Sequence, residues 1–251
     1  HSEPLVSVVI PTLNRPHLVV RAIDSALNQT LNAIEVIVVV DGPDEETIEV
    51  LHKIKNSKVR VIPLPAHLGL GWARNAGVKE ARSRWVAFLD DDDEWFPQKL
   101  QAQLKAAQQS AYRYPIISCR LIVRSELGDV VWPRRIPGPN ESVSEYLFCR
   151  TSLFSGEGLI GANTIFAMKE LLQMVPFRGD LQRHEDMDWL LRVTTLNGVG
   201  IQFIPTRDPL VIWHREETHQ SMSRRTDWRF SLTWINENKH LVTPRAYASF
   251  L

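Results

Sequence analysis

Four consecutive carboxylates, Asp90, Asp91, Asp92 and Asp93, followed by Glu94, are the residues of this chain most plainly equipped for chemistry. Adjacent carboxylates repel one another, and the repulsion grows where water is scarce. The run lies between Trp85-Val86-Ala87-Phe88-Leu89 and Trp95-Phe96-Pro97, so it is held against apolar surface. A hard divalent cation would offset the repulsion. An all-oxygen donor set suits Mg²⁺ or Mn²⁺, typically shared with substrate phosphates. The run is not an EF-hand loop, which needs a central Gly and a Glu at its twelfth position. A solvated acidic turn is the competing reading, and the apolar flanks weigh against it.

The elements that must position these groups alternate. Apolar runs at 6–10, 34–40, 59–62 and 85–89 read as strands, and 34–40 is nearly continuous in β-branched residues, as in a strand buried on both faces. Helices are expected at 16–29, where Pro16 suits the first turn, from Asp44 as cap with Glu45 and Glu46 behind it, at 71–83 and at 98–109. Strand–helix alternation with short links makes βαβ units, a mostly parallel sheet and right-handed crossovers. Ligands of such sheets bind outside the carboxyl ends of the strands. Four strand ends carry polar groups: Pro11-Thr12-Leu13-Asn14-Arg15, Asp41-Gly42-Pro43-Asp44, Pro65-Ala66-His67-Leu68-Gly69, and the acidic run. Four such loops in register make a site where one would be noise. Beyond residue 110 the expectations are a long strand at 116–124 and a hairpin or loop at 126–140. Short helices follow at 144–153 and 169–175, a better one at 186–196, strands at 200–204 and 210–213, and a helical end over 227–240.

With 251 residues, 44% hydrophobic and 23% charged, the chain has the composition of an ordinary globular protein. Lys plus Arg and Asp plus Glu both number 29, so no global field recruits nucleic acid or an anionic membrane. Cys119 and Cys149 form no CxxC pair and are too few for a disulfide scaffold, which points to a reducing cytosol. No apolar run reaches the roughly 18 residues of a transmembrane segment. GxxxxGK[ST] and GxSxG are absent, and no GxGxxG opens a helix after the first strand. No repeat or low-complexity linker divides the chain, so one continuous domain is expected.

Taken together, Val6-Ser7-Val8-Val9-Ile10-Pro11-Thr12-Leu13-Asn14-Arg15, Glu35-Val36-Ile37-Val38-Val39-Val40-Asp41-Gly42, Ala73-Arg74-Asn75-Ala76-Gly77 and Phe88-Leu89-Asp90-Asp91-Asp92-Asp93 resemble family 2 glycosyltransferases of the GT-A fold. Downstream, Gly161-Ala162-Asn163-Thr164 and Glu185-Asp186-Met187-Asp188-Trp189-Leu190-Leu191-Arg192 resemble that family's acceptor loop and ED motif. The resemblance covers roughly residues 4 to 222. It implies a Rossmann-like α/β domain, with a nucleotide-sugar-binding half at 4–110, an acceptor and base half at 111–222 and a helical end at 223–251. It implies inverting sugar transfer from a nucleotide diphosphate donor, UDP favoured over GDP and dTDP. The implied acceptor is the hydroxyl of a saccharide, a lipid-linked sugar or another molecule. The cysteine usage places the chain in the cytoplasm, with peripheral association to the membrane left open.

The family's DxD motif falls on Asp90, Asp91 and Asp92, with Asp92 as the direct Mn²⁺ or Mg²⁺ ligand and Asp90 beside it. Four consecutive aspartates leave that register open by one residue. By the same resemblance Asp41 contacts the base, Pro11, Thr12, Asn14 and Arg15 line its pocket, and Arg74 lies near the phosphates. Asp186 is the implied catalytic base and Glu185 its support. His214 is a candidate metal or diphosphate contact, in competition with His219 and with a plain surface histidine. Bland readings stand beside these: Asp41 as a turn former, Arg74 as a solvated arginine, and Glu185-Asp186 as complement to a helix dipole. Trp132, Trp189 and Trp213 could stack on a sugar, although core packing is the commoner use of tryptophan. The chemistry agrees with the family: the leaving diphosphate needs its charge neutralised, and the acceptor hydroxyl needs a carboxylate base on the opposite face of the sugar. A nucleotidyl or phosphoryl transferase would need a lysine- and glycine-rich phosphate loop. A glycoside hydrolase would use paired carboxylates without a nucleotide, and a non-catalytic sugar-nucleotide binder would not need the intact ED pair.

Overall fold

A computed structural model describes residues 3–152, 157–215 and 227–251. The first half follows the expected alternation: β1 (Val6–Thr12), α1 (Pro16–Leu27), β2 (Ile34–Val40), α2 (Glu45–His52), β3 (Val59–Pro63), α3 (Leu70–Glu80), β4 (Trp85–Phe88), β5 (Glu94–Trp95) and α4 (Lys99–Gln108). The second half contains β6 (Tyr114–Ser118), β7 (Leu121–Arg124), β8 (Val130–Trp132), α5 (Val143–Phe148), β9 (Phe166–Met168), α6 (Lys169–Met174), α7 (Glu185–Val193), β10 (Val199–Phe203), β11 (Val211–His214), α8 (Trp228–Glu237) and α9 (Pro244–Phe250).

Seven strands form the main sheet in the order β10-β6-β9-β4-β1-β2-β3. All run parallel except β9, which is antiparallel to both β4 and β6. Every residue of β1 and β2 is buried, as the β-branched composition of 34–40 predicts for a central strand. From β1 the chain steps outward to β2 and β3, then returns across the sheet to β4. Right-handed crossovers therefore put α3 on the face opposite α1 and α2. That reversal between β1 and β4 opens a crevice at their carboxyl ends. Close approach of α3 to the sheet depends on Gly77, where an added Cβ would collide with Cγ1 of Val9.

The Asp44 cap is realised, its carboxylate accepting from Thr47 N at 3.1 Å. Two expectations are corrected. The long strand predicted at 116–124 is two strands: β6 lies in the main sheet, whereas β7 joins a four-stranded sheet, β5-β11-β7-β8. The apolar alternation continues through Cys119 because both sheets bury that side of the chain. Periodicity reports burial and is blind to the change of sheet. The helix predicted at 144–153 ends at Phe148, and Cys149 is extended.

α8 and α9 form a smaller core of their own with α5 and α7, built on Phe148, Leu191, Trp234, Ile235 and Ala246. No helix among the described residues is long and apolar enough to cross a membrane.

Candidate active site

The four aspartates are not equivalent. Asp90 accepts from Arg74 Nη2 at 2.9 Å. Asp91 is pinned by Thr12 Oγ1 and by Arg15 Nη1, each at 2.8 Å. Asp92 takes the same guanidinium at 3.0 Å, while its backbone carbonyl accepts from Arg21. Asp93 turns inward, where it accepts from Asn163 Nδ2 and from the backbone N–H of His214. Asp93 therefore ties the run to the loop at 161–164 and to β11, which leaves Asp90, Asp91 and Asp92 for the crevice.

Positive charge is short here. Burial, with the charges of Asp90 and Asp91, pushes the Asp92 carboxyl up to about 7. Burial raises Asp91 as well, against the pull of Arg15. A group whose folded pKa exceeds its unfolded value stabilises the fold fully only below the unfolded value and loses that contribution as pH rises. We therefore expect Asp92→Asn to raise the melting temperature of the metal-free protein, with the gain growing between about pH 4 and 7 and complete above it. Melting curves at pH 5 and pH 8 check this; equal melting temperatures at pH 8 would contradict it.

Asp41 ends β2 and organises the loop after β3. Its Oδ1 accepts from Leu68 N at 2.9 Å, and its Oδ2 from Gly69 N at 2.9 Å and from His67 Nδ1 at 2.8 Å. The His67 side chain is 63% exposed, so a solvent-facing ring rests on a buried carboxylate. More than a turn former, Asp41 is the anchor of the β3–α3 loop. Asp41→Ala strands two backbone donors, and we expect a loss of about 1–3 kcal/mol in stability together with weaker UDP binding. Urea unfolding and calorimetry test the two parts; unchanged UDP affinity would leave Asp41 a fold residue only.

Thr12 and Arg15 serve the aspartates, as above. Asn14 has φ 54, a left-handed conformation that Asn tolerates, and its N–H donates to Asp44 at 2.6 Å. Asp44 thus caps α2 and fastens the β1–α1 loop together. Pro11 is buried in β1 opposite Val39 of β2.

Arg74 is the joint of the site. Its side chain is 2% exposed, which excludes a solvated arginine. Nη2 donates to Asp90 and Nη1 donates to Glu185 at 3.1 Å, over a separation of 111 residues. The guanidinium lies 5.6 Å from the Phe177 ring centroid, and its buried Nε has no hydrogen-bond partner. Packing brings the loop before α7 onto α3, where a Cβ at Gly71 would collide with the carbonyl of Arg178.

Asp186 follows Glu185 in the first turn of α7 and accepts from Met187 N at 2.8 Å. Crowding by protein, with the Glu185 charge, pushes its carboxyl up to about 7 against the pull of Arg74. Asp188 has a structural place: it is fully buried and accepts from Arg192 and from Trp234 Nε1.

His214 is buried rather than a surface histidine, with Nε2 2.8 Å from Glu94. His219 lies outside the described residues. Trp189 is core, stacked on Phe177, while Trp132 and Trp213 are half-buried and 6.1 Å apart. Among the described residues, no three His, Cys, Asp or Glu side chains already converge as a metal cage. Sequence reasoning assigned no role to His67 or His184. His67 was legible, since it sits in one of the four strand-end loops. His184 had no local signal, because its contacts come from α8.

Residues 7–156 match the family model described as glycosyl transferase family 2. Over 247 residues the chain is 29% identical to the amylovoran biosynthesis glycosyltransferase AmsB of Erwinia amylovora, covering 95% of this chain and 79% of that protein. Over 100 residues it is 36% identical to the UDP-Glc:alpha-D-GlcNAc-diphosphoundecaprenol beta-1,3-glucosyltransferase WfaP of Escherichia coli, covering 40% of each. The succinoglycan biosynthesis protein ExoO of Rhizobium meliloti is 40% identical over 104 residues, 41% of this chain and 30% of that protein. The chain thus spans less than half the length of the latter two. Among solved structures, S. aureus TarS 1–349 in complex with UDP-GlcNAc matches with a TM-score of 0.63 at 20% identity, over 87% of this chain and 60% of that one. The shared fold is of the GT-A type, a mostly parallel sheet flanked by helices in one domain.

Proposed function

Since the chain belongs to glycosyl transferase family 2 and is a glycosyltransferase, we propose that it moves a sugar from a UDP-sugar to an acceptor hydroxyl, with inversion, in one displacement assisted by a divalent cation. The observation that carries this reading is the Arg74 bridge between Asp90 and Glu185. Through it, groups suited to a diphosphate and a cation stand beside groups suited to proton removal, at the carboxyl edge of one sheet.

Asp92, with Asp90, would hold Mn²⁺ or Mg²⁺. The fit is one of donor chemistry, since the set is all oxygen and burial, with the charges of Asp90 and Asp91, pushes the Asp92 carboxyl to about 7. Bound there, the cation supplies charge neutralisation for the diphosphate leaving group. Arg15 orients Asp91 and Asp92 from the β1 side. The His67 ring and the loops carrying Pro11, Thr12 and Asn14 form the nucleotide pocket, organised by Asp41 and Asp44. The Nε2 nitrogen of His214 is engaged by Glu94, so His214 backs the acidic run from within. Asp186 takes the acceptor proton, and a carboxyl near 7 is matched to that task at neutral pH. Glu185, held by Arg74, orients it. A single displacement needs no enzyme nucleophile, and burial pushes the Cys119 thiol up to about 11, which removes it from that role.

The named activity of WfaP, on a diphosphoundecaprenol-linked sugar, supports a saccharide or lipid-linked acceptor here and an enzyme that works peripherally at a membrane surface.

The test is a thermal-shift screen of UDP, GDP and dTDP, and of their sugars, with and without Mn²⁺. A ligand that binds only the native state raises the melting temperature. We expect UDP with Mn²⁺ to shift it most. A shift indifferent to Mn²⁺ would overturn the metal-assisted part, no shift with any nucleotide would favour a hydrolase, and product of retained anomeric configuration would reject single displacement.

A further inference from the structure

The residue that precedes the Glu185-Asp186 pair is held from the far end of the chain. His184 has φ 65 and ψ 14, and Asn14 is the other non-glycine residue at positive φ among those described. A β-carbon makes that conformation unfavourable, so surrounding contacts must hold it. They come from the C-terminal helices. His184 Nε2 lies 2.8 Å from Ser231 Oγ of α8. Its ring stands 4.8 Å from Trp234 and 5.9 Å from Phe250, centroid to centroid. On the other side of the acidic pair, Asp188 N donates to the His184 carbonyl at 2.7 Å. Trp234 Nε1 in turn donates to Asp188 at 3.2 Å. The C-terminal helices therefore grip His184, directly before Glu185-Asp186, and Asp188, two residues after the pair, and Trp234 touches each of them.

We infer that the C-terminal helices belong to the acceptor-activating machinery, with His184 a positioning residue that Ser231 and Trp234 lock so that Asp186 is aimed at the acceptor oxygen. The inference rests on the reading of Asp186 as the base. Burial pushes the His184 imidazole down to about 4, so near neutral pH it is an uncharged partner for the Ser231 hydroxyl. A neutral histidine also avoids adding a positive charge beside Asp186, which would lower the basicity that the proposed role requires. Within 184–192 the turn is closed by the Asp188 N–H on the His184 carbonyl, whereas the contacts that hold its ring arrive from α8 and α9.

A double-mutant cycle tests it, because residues acting as one unit give non-additive effects. Ser231→Ala removes one hydroxyl. His184→Gly keeps the left-handed turn at no steric cost while releasing the ring. Each is made alone and combined with Asp186→Asn, and initial rates of UDP release are measured with the UDP-sugar that gives the largest thermal shift. We expect kcat to fall about 10-fold in the single variants, KM for the donor to stay unchanged, and neither change to slow Asp186→Asn further. The melting temperature of Ser231→Ala should stay close to that of the parent, which separates aim from folding. Unchanged kcat in both single variants, with or without a lower melting temperature, would make the C-terminal cluster core packing only and overturn the inference. Equal slowing with and without Asp186 would also overturn it, while leaving the base in place. If Asp186→Asn itself keeps its rate, the base assignment falls first, and that result is distinct from the other two.

Discussion

Asp186→Asn is expected to lower kcat about 10²–10⁴-fold, the usual effect of losing a general base. Donor affinity should barely move, since the proton is taken only as the acceptor attacks. Asparagine keeps the shape and can still accept from Met187 N, so the fold survives. The folded carboxyl is pushed up to about 7, against an ordinary value of 3.8. Its stabilising contribution is therefore full below the ordinary value and is lost as pH rises toward 7. Replacement by a neutral amide should make the apo protein melt at a slightly higher temperature above pH 7, which removes misfolding as a cause of lost rate. The same pKa sets the pH profile. In the parent enzyme kcat/KM should rise with pH and level off above about 7, and that limb should disappear in Asp186→Asn. Glu185→Gln should cost less, because Glu185 orients its neighbour. A transfer rate near that of the parent, or a loss confined to donor affinity, would reject the base.

The second large effect belongs to Arg74. It is the cation shared by Asp90 and Glu185 and is almost wholly buried. Removing one partner of a buried ion pair leaves uncompensated charge, a loss of about 3–5 kcal/mol. For a domain of this size that is a fall of roughly 10 °C in melting temperature. We expect Arg74→Met to show it, and to lose transfer activity even at temperatures where it remains folded, because both acidic clusters lose their common anchor. Arg74→Lys should not restore the parent. A guanidinium reaches two oxygens from two nitrogens in fixed geometry, whereas an ammonium is a point charge on a flexible stem. A melting temperature within a degree or two of the parent would show that the bridge contributes little.

β-Branched runs and helical periodicity specify β1 through α4, and the caps at Asp44 and Pro16 mark helix starts, because each signal acts over a few neighbouring residues. Once the sheet is known to be parallel, its strand-end loops must share one edge, and the gathering of Asp41, His67 and the aspartates there follows from the alternation alone. The sequence by itself determined that a polar, acidic edge exists and which loops form it. It did not determine which way the side chains of that edge turn. Asp93 looks identical to its neighbours in the sequence, yet it faces the core because Asn163 and β11 lie behind it. Arg74 reads as an ordinary helix residue until Glu185, 111 positions away, is packed against it. The insertion of antiparallel β9 between β4 and β6, the break between β6 and β7, and the left-handed turn at His184 share one cause. Hydrophobic pattern records whether a residue is buried, whereas the partner it is buried against is chosen by contacts between distant segments, and only tertiary packing fixes those.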